Sequence, residues 1–211
     1  MKTKLFLLPL SVLTLLTFSA ISTRSQTVIT FDDIPLNNGT GVFLANNYHG
    51  LVWTNCAVGN GILSPSNAPF HITNGYYYGV VSASNVAILG YNGSSEIDSP
   101  STNFNFLSAY FTGGWNSNLN IKVQGFNGAN LLYDTTVVPG ATNPSLFTFN
   151  YSDINRLYFI SSGGLSAFGG IVDAGFAMDN FTFELVPEPS SLLLAAAGAL
   201  LLCPLLKRKR V

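Results

Sequence analysis

The sequence of 211 residues predicts an all-β protein, a jelly-roll-type two-sheet β-sandwich, between an N-terminal signal peptide and a C-terminal transmembrane helix. Three observations predict this organisation. In the middle of the chain apolar residues alternate with polar ones, as in strands with one buried face, and helical periodicity is absent. Gly, Asn, Ser and Pro interrupt these runs about every eight to twelve residues. Long apolar runs with basic flanks occur at the two ends.

The first segment, residues 1–25, has the layout of a secretory signal peptide. A basic start, Met1–Lys4, precedes an apolar run, Leu5–Ile21. Small residues follow at Ser22 and Ser25, where a signal peptidase cuts. An uncleaved N-terminal anchor is the alternative, because the apolar run approaches the ~20 residues that span a bilayer. Cleavage is favoured, and signal peptidase is therefore a predicted partner.

The middle segment, residues 26–185, predicts one sandwich domain. Leu119, Ile121 and Val123 alternate with polar residues, and an Asn-Gly turn at Asn127-Gly128 leads into a return strand. The predicted strands are 27–32, 50–58, 76–82, 85–91, 103–112, 119–126, 130–138, 145–150, 154–161 and 174–185. Their number and spacing favour a sandwich. A propeller would show a repeat of about 40–50 residues, and the sequence has none.

The middle segment is acidic and poor in charge. From Gln26 to Val186 the chain keeps two cations, Lys122 and Arg156, against nine carboxylates, a net charge of −7. An acidic surface excludes nonspecific nucleic-acid binding, which needs a basic patch. The same segment holds 21 Asn and 19 Gly. Amides and backbone therefore provide its solubility, as is common in exported β-proteins.

The last segment, residues 186–211, has three parts in a fixed order. Pro187, Glu188 and Pro189 hold the backbone extended, since each proline fixes its own φ and disfavours helix before it. An apolar run, Leu192–Leu206, then predicts a short transmembrane helix. The chain closes with a cluster of four cations, Lys207, Arg208, Lys209 and Arg210. Such a basic tail stays cytoplasmic and orients the domain outward.

These three parts together resemble the PEP-CTERM sorting signal of exported bacterial proteins. The resemblance implies that an exosortase, an integral-membrane cysteine transpeptidase, cuts near Pro187-Glu188-Pro189. It also implies a bacterium that makes extracellular polysaccharide. Cys203-Pro204 departs from the usual pattern by interrupting the apolar helix. Cys203 is interpreted as a small apolar residue, with palmitoylation as the alternative.

Residues for catalysis are sparse in the middle segment. His49 and His71 are its two histidines, and Cys56 is its single cysteine. An odd spacing places His49 and Cys56 on opposite faces of a regular strand, so Cys56 is predicted to be a buried structural residue. Glu96 and Asp98 would share a face, as glycosidase carboxylates must, but they fall in a predicted loop. No catalytic residue is predicted, and the protein is expected not to be an enzyme.

A structural Ca²⁺ is predicted as one interpretation of Asp32, Asp33 and Asp179. The apolar face of the last strand changes phase at Asp179-Asn180, which indicates a bulge. If the first and last strands run side by side, these carboxylates could meet and offer hard oxygen ligands. The alternative is that Asp179 and Asn180 bond locally to backbone.

Ligand recognition is predicted to use aromatic residues in loops. Tyr76 and Tyr78 follow Asn74-Gly75, and Trp115 lies in a glycine-rich turn. Such rings can stack on a sugar while asparagine supplies hydrogen bonds. The alternative for Trp115 is plain packing in the core.

The middle segment also resembles the carbohydrate-binding-like jelly rolls of exported bacterial proteins. The resemblance runs from Phe104 through Val123 and Tyr158 to Asp179-Asn180-Phe181. The combined prediction is an exported protein, anchored in the membrane before processing and then placed at the cell surface or in the extracellular matrix. Its sandwich is predicted to be structural or adhesive and to associate with exopolysaccharide. The alternatives are a secreted carbohydrate-binding module and a polysaccharide-acting enzyme.

Overall fold

The residues described in a computed structural model of the protein are 25–36, 41–63, 73–90 and 93–186. They form two facing antiparallel sheets, so the predicted all-β sandwich is confirmed. The segments 1–24 and 187–211 lie outside the described residues, and so do the predicted signal peptide, sorting motif and transmembrane helix. Within the described ranges, no helix is long and apolar enough to cross a membrane.

The larger sheet has seven strands. They are β1 (Gln26–Ile29), β2 (Val42–Phe43), β4 (Ala57–Asn60), β5 (Asn85–Leu89), β7 (Phe104–Gly113), β11 (Ser145–Ile154) and β14 (Phe176–Leu185). The order across the sheet is β11-β7-β14-β5-β4-β2, and β1 pairs with the second half of β14 beside β5. The long strand β14 is therefore central, and it joins β1, β5 and β7 into one layer.

The second sheet has five strands in the order β10-β9-β12-β6-β3. They are β3 (Val52–Thr54), β6 (Ser94–Asp98), β9 (Asn120–Asn127), β10 (Asn130–Val137) and β12 (Arg156–Ser162). Two short strands, β8 (Asn116–Ser117) and β13 (Leu165–Ser166), form a separate ladder, and α1 (Gly75–Tyr78) is a single helical turn.

Phenylalanine fills the space between the sheets. The fully buried phenylalanines are Phe31, Phe104, Phe106, Phe111, Phe159, Phe176, Phe181 and Phe183. Phe106 stacks on Phe181 within the larger sheet at 4.9 Å, and Phe111 meets Phe159 of the other sheet edge-on at 6.2 Å. Aromatic pairs in these geometries add stabilisation beyond the area that they bury.

A second, smaller apolar cluster covers the outer face of the seven-stranded sheet. Its buried members are Tyr76, Val86, Trp115 and Ala177. Val86 and Ala177 point away from the central core because their strand neighbours, Ala87 and Met178, point into it. This outer cluster positions the candidate site.

The irregularity predicted at Asp179-Asn180 is present in β14. The pairing of β14 with β7 shifts register between Asp179 and Thr182, and Asn180 has a positive φ of 51°. The extra residue lets Met178 and Phe181 both face the core. The expected pairing of the first and last strands is also confirmed, since Gln26–Ile29 runs antiparallel to Phe181–Glu184.

The predicted hairpin forms from β9 and β10. Asn127 and Asn130 are the last paired residues, so the two-residue loop is Gly128-Ala129, one residue later than the predicted Asn127-Gly128 turn. Gly128 has φ of 58°, which matches the type II′ turn with glycine at its first position. Asn55 likewise has a positive φ of 53°, and it divides the predicted strand 50–58 between the two sheets.

Candidate ligand pocket

A helical turn stands where the sequence predicts the strand 76–82. Asn74 caps it: the side-chain oxygen accepts hydrogen bonds from the backbone N–H groups of Tyr76 and Tyr77, at 3.1 and 3.3 Å. Asparagine at this position satisfies donors that the first turn would leave unpaired. The strand prediction is wrong because this local cap outweighs the strand preference of the three tyrosines.

Two glycines let α1 lie directly against the end of β7. The N–H of Gly75 donates to the carbonyl oxygen of Gly114 at 2.7 Å. A Cβ at Gly75 would collide with the carbonyl oxygen of Gly113, and one at Gly114 would lie 2.5 Å from the ring of Tyr76. Glycine alone permits so close an approach. The contact brings the ring of Tyr76 to the turn that carries Trp115.

Tyr76 and Trp115 belong to the wall of a pocket of about 440 Å³ on the outer face of the larger sheet. The described residues that line it are Gly41, Phe43, Asn55, Ala57, Tyr76, Ile88 and Trp115. Its volume is within the ~300–1,000 Å³ usual for small-molecule sites. The wall combines three aromatic rings with one amide and contains no charged side chain among the described residues.

Trp115 is mostly packed, and it also belongs to the wall of the pocket. It is 9% exposed and meets Phe168 edge-on at 6.5 Å, so most of its indole is packed. The indole also lines the pocket, so packing and a place in the pocket wall are combined in one side chain. Within the described ranges, no group accepts a hydrogen bond from the indole N–H.

Tyr78 is connected to the pocket indirectly. Its ring stacks on Phe168 at 6.0 Å with an interplanar angle of 15°, and Phe168 in turn contacts Trp115. Tyr78 is 36% exposed and does not line the pocket. Of the three aromatic residues predicted to bind a ligand, the structure brings Tyr76 and Trp115 together and places Tyr78 behind them.

Phe43 and Asn55 are pocket residues that the sequence reasoning missed. Phe43 is 79% exposed on the two-residue strand β2, an exposure that an aromatic ring on a sheet rarely has. Asn55 donates through its amide nitrogen to the carbonyl oxygen of Ser94 at 3.3 Å. The alternation along a strand predicts which face of the sheet a side chain lies on. It does not predict that two side chains on the outer face line the same pocket.

Asp179 is bound by protein donors. It is fully buried, and one carboxylate oxygen accepts hydrogen bonds from the N–H groups of Val81 and Ser82, at 2.8 and 2.9 Å. The other oxygen accepts from the Ser82 hydroxyl at 2.9 Å and from the Asn180 N–H at 2.7 Å. Burial raises the pKa of Asp179 above its ordinary value, and these hydrogen bonds limit the rise. The local bonding that the sequence leaves open as the alternative is present, together with a long-range anchor.

The predicted cation site does not assemble. Asp32 accepts a hydrogen bond from the N–H of Asn85 at 3.0 Å, whereas Asp33 binds the hydroxyl of Tyr48 at 2.5 Å and lies 3.4 Å from Nε2 of His49. Burial, then the hydrogen bond with Asp33, raise the pKa of Tyr48. Across the described ranges, no group of three His, Cys, Asp or Glu side chains could hold a metal ion. Each of the three carboxylates instead accepts a hydrogen bond from a protein donor.

Cys56 is buried, as the sequence predicts for a structural residue. Its Sγ lies 3.3 Å from the carbonyl oxygen of Thr54, and burial raises the pKa of the thiol to about 12. A thiol with so high a pKa is a poor nucleophile at neutral pH. His71 lies outside the described residues.

Glu96 and Asp98 lie on strand β6, in place of the predicted loop. They share its outward face, since Ile97 between them and Ser95 before them are buried. Burial and the neighbouring Glu96 raise the pKa of Asp98 to about 6. Arg156 lies 3.8 Å from Glu96. This polar cluster is on the smaller sheet, whereas the pocket is on the larger one.

Comparison with known proteins gives distant structural likenesses. No family model matches the sequence, and no curated protein matches it significantly. A DUF4465 family protein from Bacteroides ovatus is 12% identical, with a TM-score of 0.43, over 76% of this chain and 94% of that one. A family 29 carbohydrate-binding module is 13% identical, with a TM-score of 0.37, over 79% and 99%.

A third solved structure is the family 32 carbohydrate-binding module from C. perfringens in complex with galactose. It is 14% identical, with a TM-score of 0.31, over 52% of this chain and 82% of that one. At these values of identity and TM-score, none of the three likenesses assigns a ligand to this chain.

Proposed function

We propose that this protein is an exported jelly-roll-type β-sandwich that binds a carbohydrate, without catalysis, in the pocket of Phe43, Tyr76 and Trp115. The observation that supports the proposal is the pocket itself. It is concave, walled by aromatic rings and bordered by one amide. A sugar ring presents apolar C–H groups on its faces and hydroxyls at its edges. Aromatic walls suit the faces, while Asn55 and the Trp115 indole N–H suit the hydroxyls.

The construction of the wall also favours recognition over passive packing. Its described residues lie on or just before β2, in the β3–β4 link, on β4 and β5, in the α1 turn and in the β7–β8 turn. The glycines that bring Tyr76 to the β7 end allow a contact that any side chain would prevent. The packed rings of Tyr76 and Trp115 are thereby held in place before a ligand arrives, which lowers the conformational entropy that binding would cost.

Binding without catalysis fits the chemistry of the wall. The described lining residues include no carboxylate, histidine or cysteine that could serve as general acid, base or nucleophile. The rival function, hydrolysis of a polysaccharide, would use Glu96 and Asp98, since the raised pKa of Asp98 suits a general acid. Glycosidase carboxylates, however, flank a substrate at about 5–10 Å. Glu96 and Asp98 interact directly and lie on the other sheet, so binding is better supported.

The export and sorting part of the proposal rests on the sequence of the two termini. Signal peptidase and an exosortase would process the chain at residues 1–25 and near Pro187-Glu188-Pro189. The acidic, asparagine-rich sandwich would then reside at the cell surface or in the extracellular matrix, where it would contact exopolysaccharide.

Binding of the purified full chain to a panel of polysaccharides tests the proposal, with a detergent that carries no sugar headgroup. Phe43→Ala removes an exposed ring at little cost to folding, and we expect binding about fivefold to tenfold weaker. Trp115→Phe should also weaken binding. The matched control is Leu132→Ala, which removes a 47% exposed apolar side chain from the smaller sheet and should leave binding unchanged. Full binding by both pocket variants would contradict the proposal.

A further inference from the structure

The pocket lies in a part of the chain that has no lysine or arginine. Every described lining residue falls between Gly41 and Trp115. The whole stretch from Ser25 to Ile121 contains neither Lys nor Arg. The loops that connect the lining strands within this stretch therefore bring no permanent cation to the pocket, whatever their conformation.

The two cations of the sandwich are on the other sheet and already have partners. Lys122, on β9, lies 4.0 Å from Asp134. Arg156, on β12, lies 3.8 Å from Glu96, and its guanidinium sits over the ring of Phe126 at 4.4 Å. Neither is a lining residue of the pocket.

The strands of the sheet that carries the pocket contain acidic side chains and no basic ones. Its seven strands contain three carboxylates, Asp153, Asp179 and Glu184, and no Lys or Arg. The sandwich as a whole has a net charge of −7. An anionic polymer that approaches the sandwich meets repulsion from its net charge over about one Debye length, and inside the apolar wall its charges would lose hydration with no cation among the described lining residues.

We infer that the pocket selects neutral sugars and rejects sugars that carry carboxylate or sulfate groups, which rests on the proposed carbohydrate binding. A neutral sugar ring that enters the pocket loses the hydrogen bonds between its hydroxyls and water. The Asn55 amide and the Trp115 indole N–H can replace some of these hydrogen bonds. A uronate or sulfated ring must also leave its anionic group beside aromatic carbon. The acidic matrix polymers that many cells secrete are therefore excluded as ligands, and neutral polymers are the class that this site takes.

Matched polymer pairs test the inference, because the members of a pair differ mainly in charge. Suitable pairs are pectic galactan with polygalacturonate, cellulose with carboxymethylcellulose, and dextran with dextran sulfate. The full chain should bind the neutral member of at least one pair at least tenfold more tightly at low ionic strength. The preference should narrow as salt screens the repulsion.

A charge added at the rim provides a second test. Phe43→Lys and Phe43→Gln both remove the exposed ring, but only the first supplies a cation. The ratio of charged-member to neutral-member binding should rise about fivefold or more in Phe43→Lys relative to Phe43→Gln. An unchanged ratio would overturn the assignment of selectivity to the missing cation.

The outcomes separate the inference from the proposed function. Charged members that bind as tightly as neutral ones, with binding weakened by Trp115→Phe, would overturn the inference and leave carbohydrate binding intact. Absence of Trp115-dependent binding in every pair would overturn both.

Discussion

Removal of the Asp179 carboxylate should loosen both the fold and the pocket. The carboxylate ties the backbone of Val81 and Ser82 to β14, and Val81 is three residues after the end of the α1 turn that carries Tyr76. Asp179→Ala would leave four donors without their acceptor: two N–H groups of the loop, the Ser82 hydroxyl and the Asn180 N–H.

The expected cost follows from the burial of these donors. A buried donor that loses its acceptor costs about 1–3 kcal/mol. Val81 is 39% exposed, so the loop donors can turn partly toward water after the substitution. We therefore expect a loss of about 3 kcal/mol in the free energy of unfolding, which is below the sum of about 4–12 kcal/mol for four fully buried donors. Asp179→Asn keeps one acceptor oxygen and should lose less.

Urea unfolding of the full chain measures this loss, with Glu184→Ala as the matched control. Glu184 is on the same strand, half-buried, and accepts one weak hydrogen bond from Asn105 at 3.5 Å. Its removal should cost less than about 0.5 kcal/mol. A loss below 1 kcal/mol for Asp179→Ala would refute the view that this carboxylate anchors the loop, and unchanged polysaccharide binding would refute its link to the pocket.

Three further predictions concern pH, metal and processing. The folded-state pKa of Asp98, about 6, is above its ordinary value, so the folded state binds more protons and stability rises as pH falls through 6. With solvent screening the gain in stability is about 1 kcal/mol, so the melting temperature should be about 2 °C higher at pH 5 than at pH 8. Asp98→Asn should remove most of this difference. A melting temperature that falls steadily from pH 8 to pH 5 would contradict the prediction. Because Asp32, Asp33 and Asp179 each face a protein donor, excess EDTA should leave the melting temperature unchanged, and a decrease that calcium reverses would restore the calcium site. In an exosortase-positive host, intact-mass analysis should show loss of the basic tail and an uncut form that accumulates with Glu188→Ala; exported protein that keeps the tail would argue against cleavage.

Local sequence patterns predict the parts of this fold that depend on neighbouring residues. The Gly128 turn is an example, since two adjacent residues decide the hairpin. The phase change at Asp179-Asn180 is another, because the apolar positions on each side reveal the bulge. The α1 turn differs from the predicted strand because three tyrosines favour a strand, whereas the helical turn depends on a single cap at Asn74.

The pocket could be predicted only in part, because it depends on contacts between distant segments. Tyr76 and Trp115 stand out as aromatic residues beside glycines. Their meeting depends on the approach of Gly75 to Gly114, which no pattern within either segment contains. For Asp32 and Asp179 the sequence predicts a meeting that the structure does not show. The first and last strands do run side by side, but Asp32, just after the first strand, accepts a hydrogen bond from Asn85, and Asp179 accepts one from Ser82.

Intrinsic fluorescence measures the central claim most directly, because the chain has two tryptophans in contrasting places. Trp53 is enclosed in the core, where its indole N–H donates to the carbonyl oxygen of Tyr48 at 3.0 Å, whereas Trp115 lines the pocket. Titration with neutral oligosaccharides should change the emission in a saturable way, and Trp115→Phe should abolish the change. A saturable change that persists in Trp115→Phe, or calorimetric binding with no change in emission, would contradict a sugar site at this pocket.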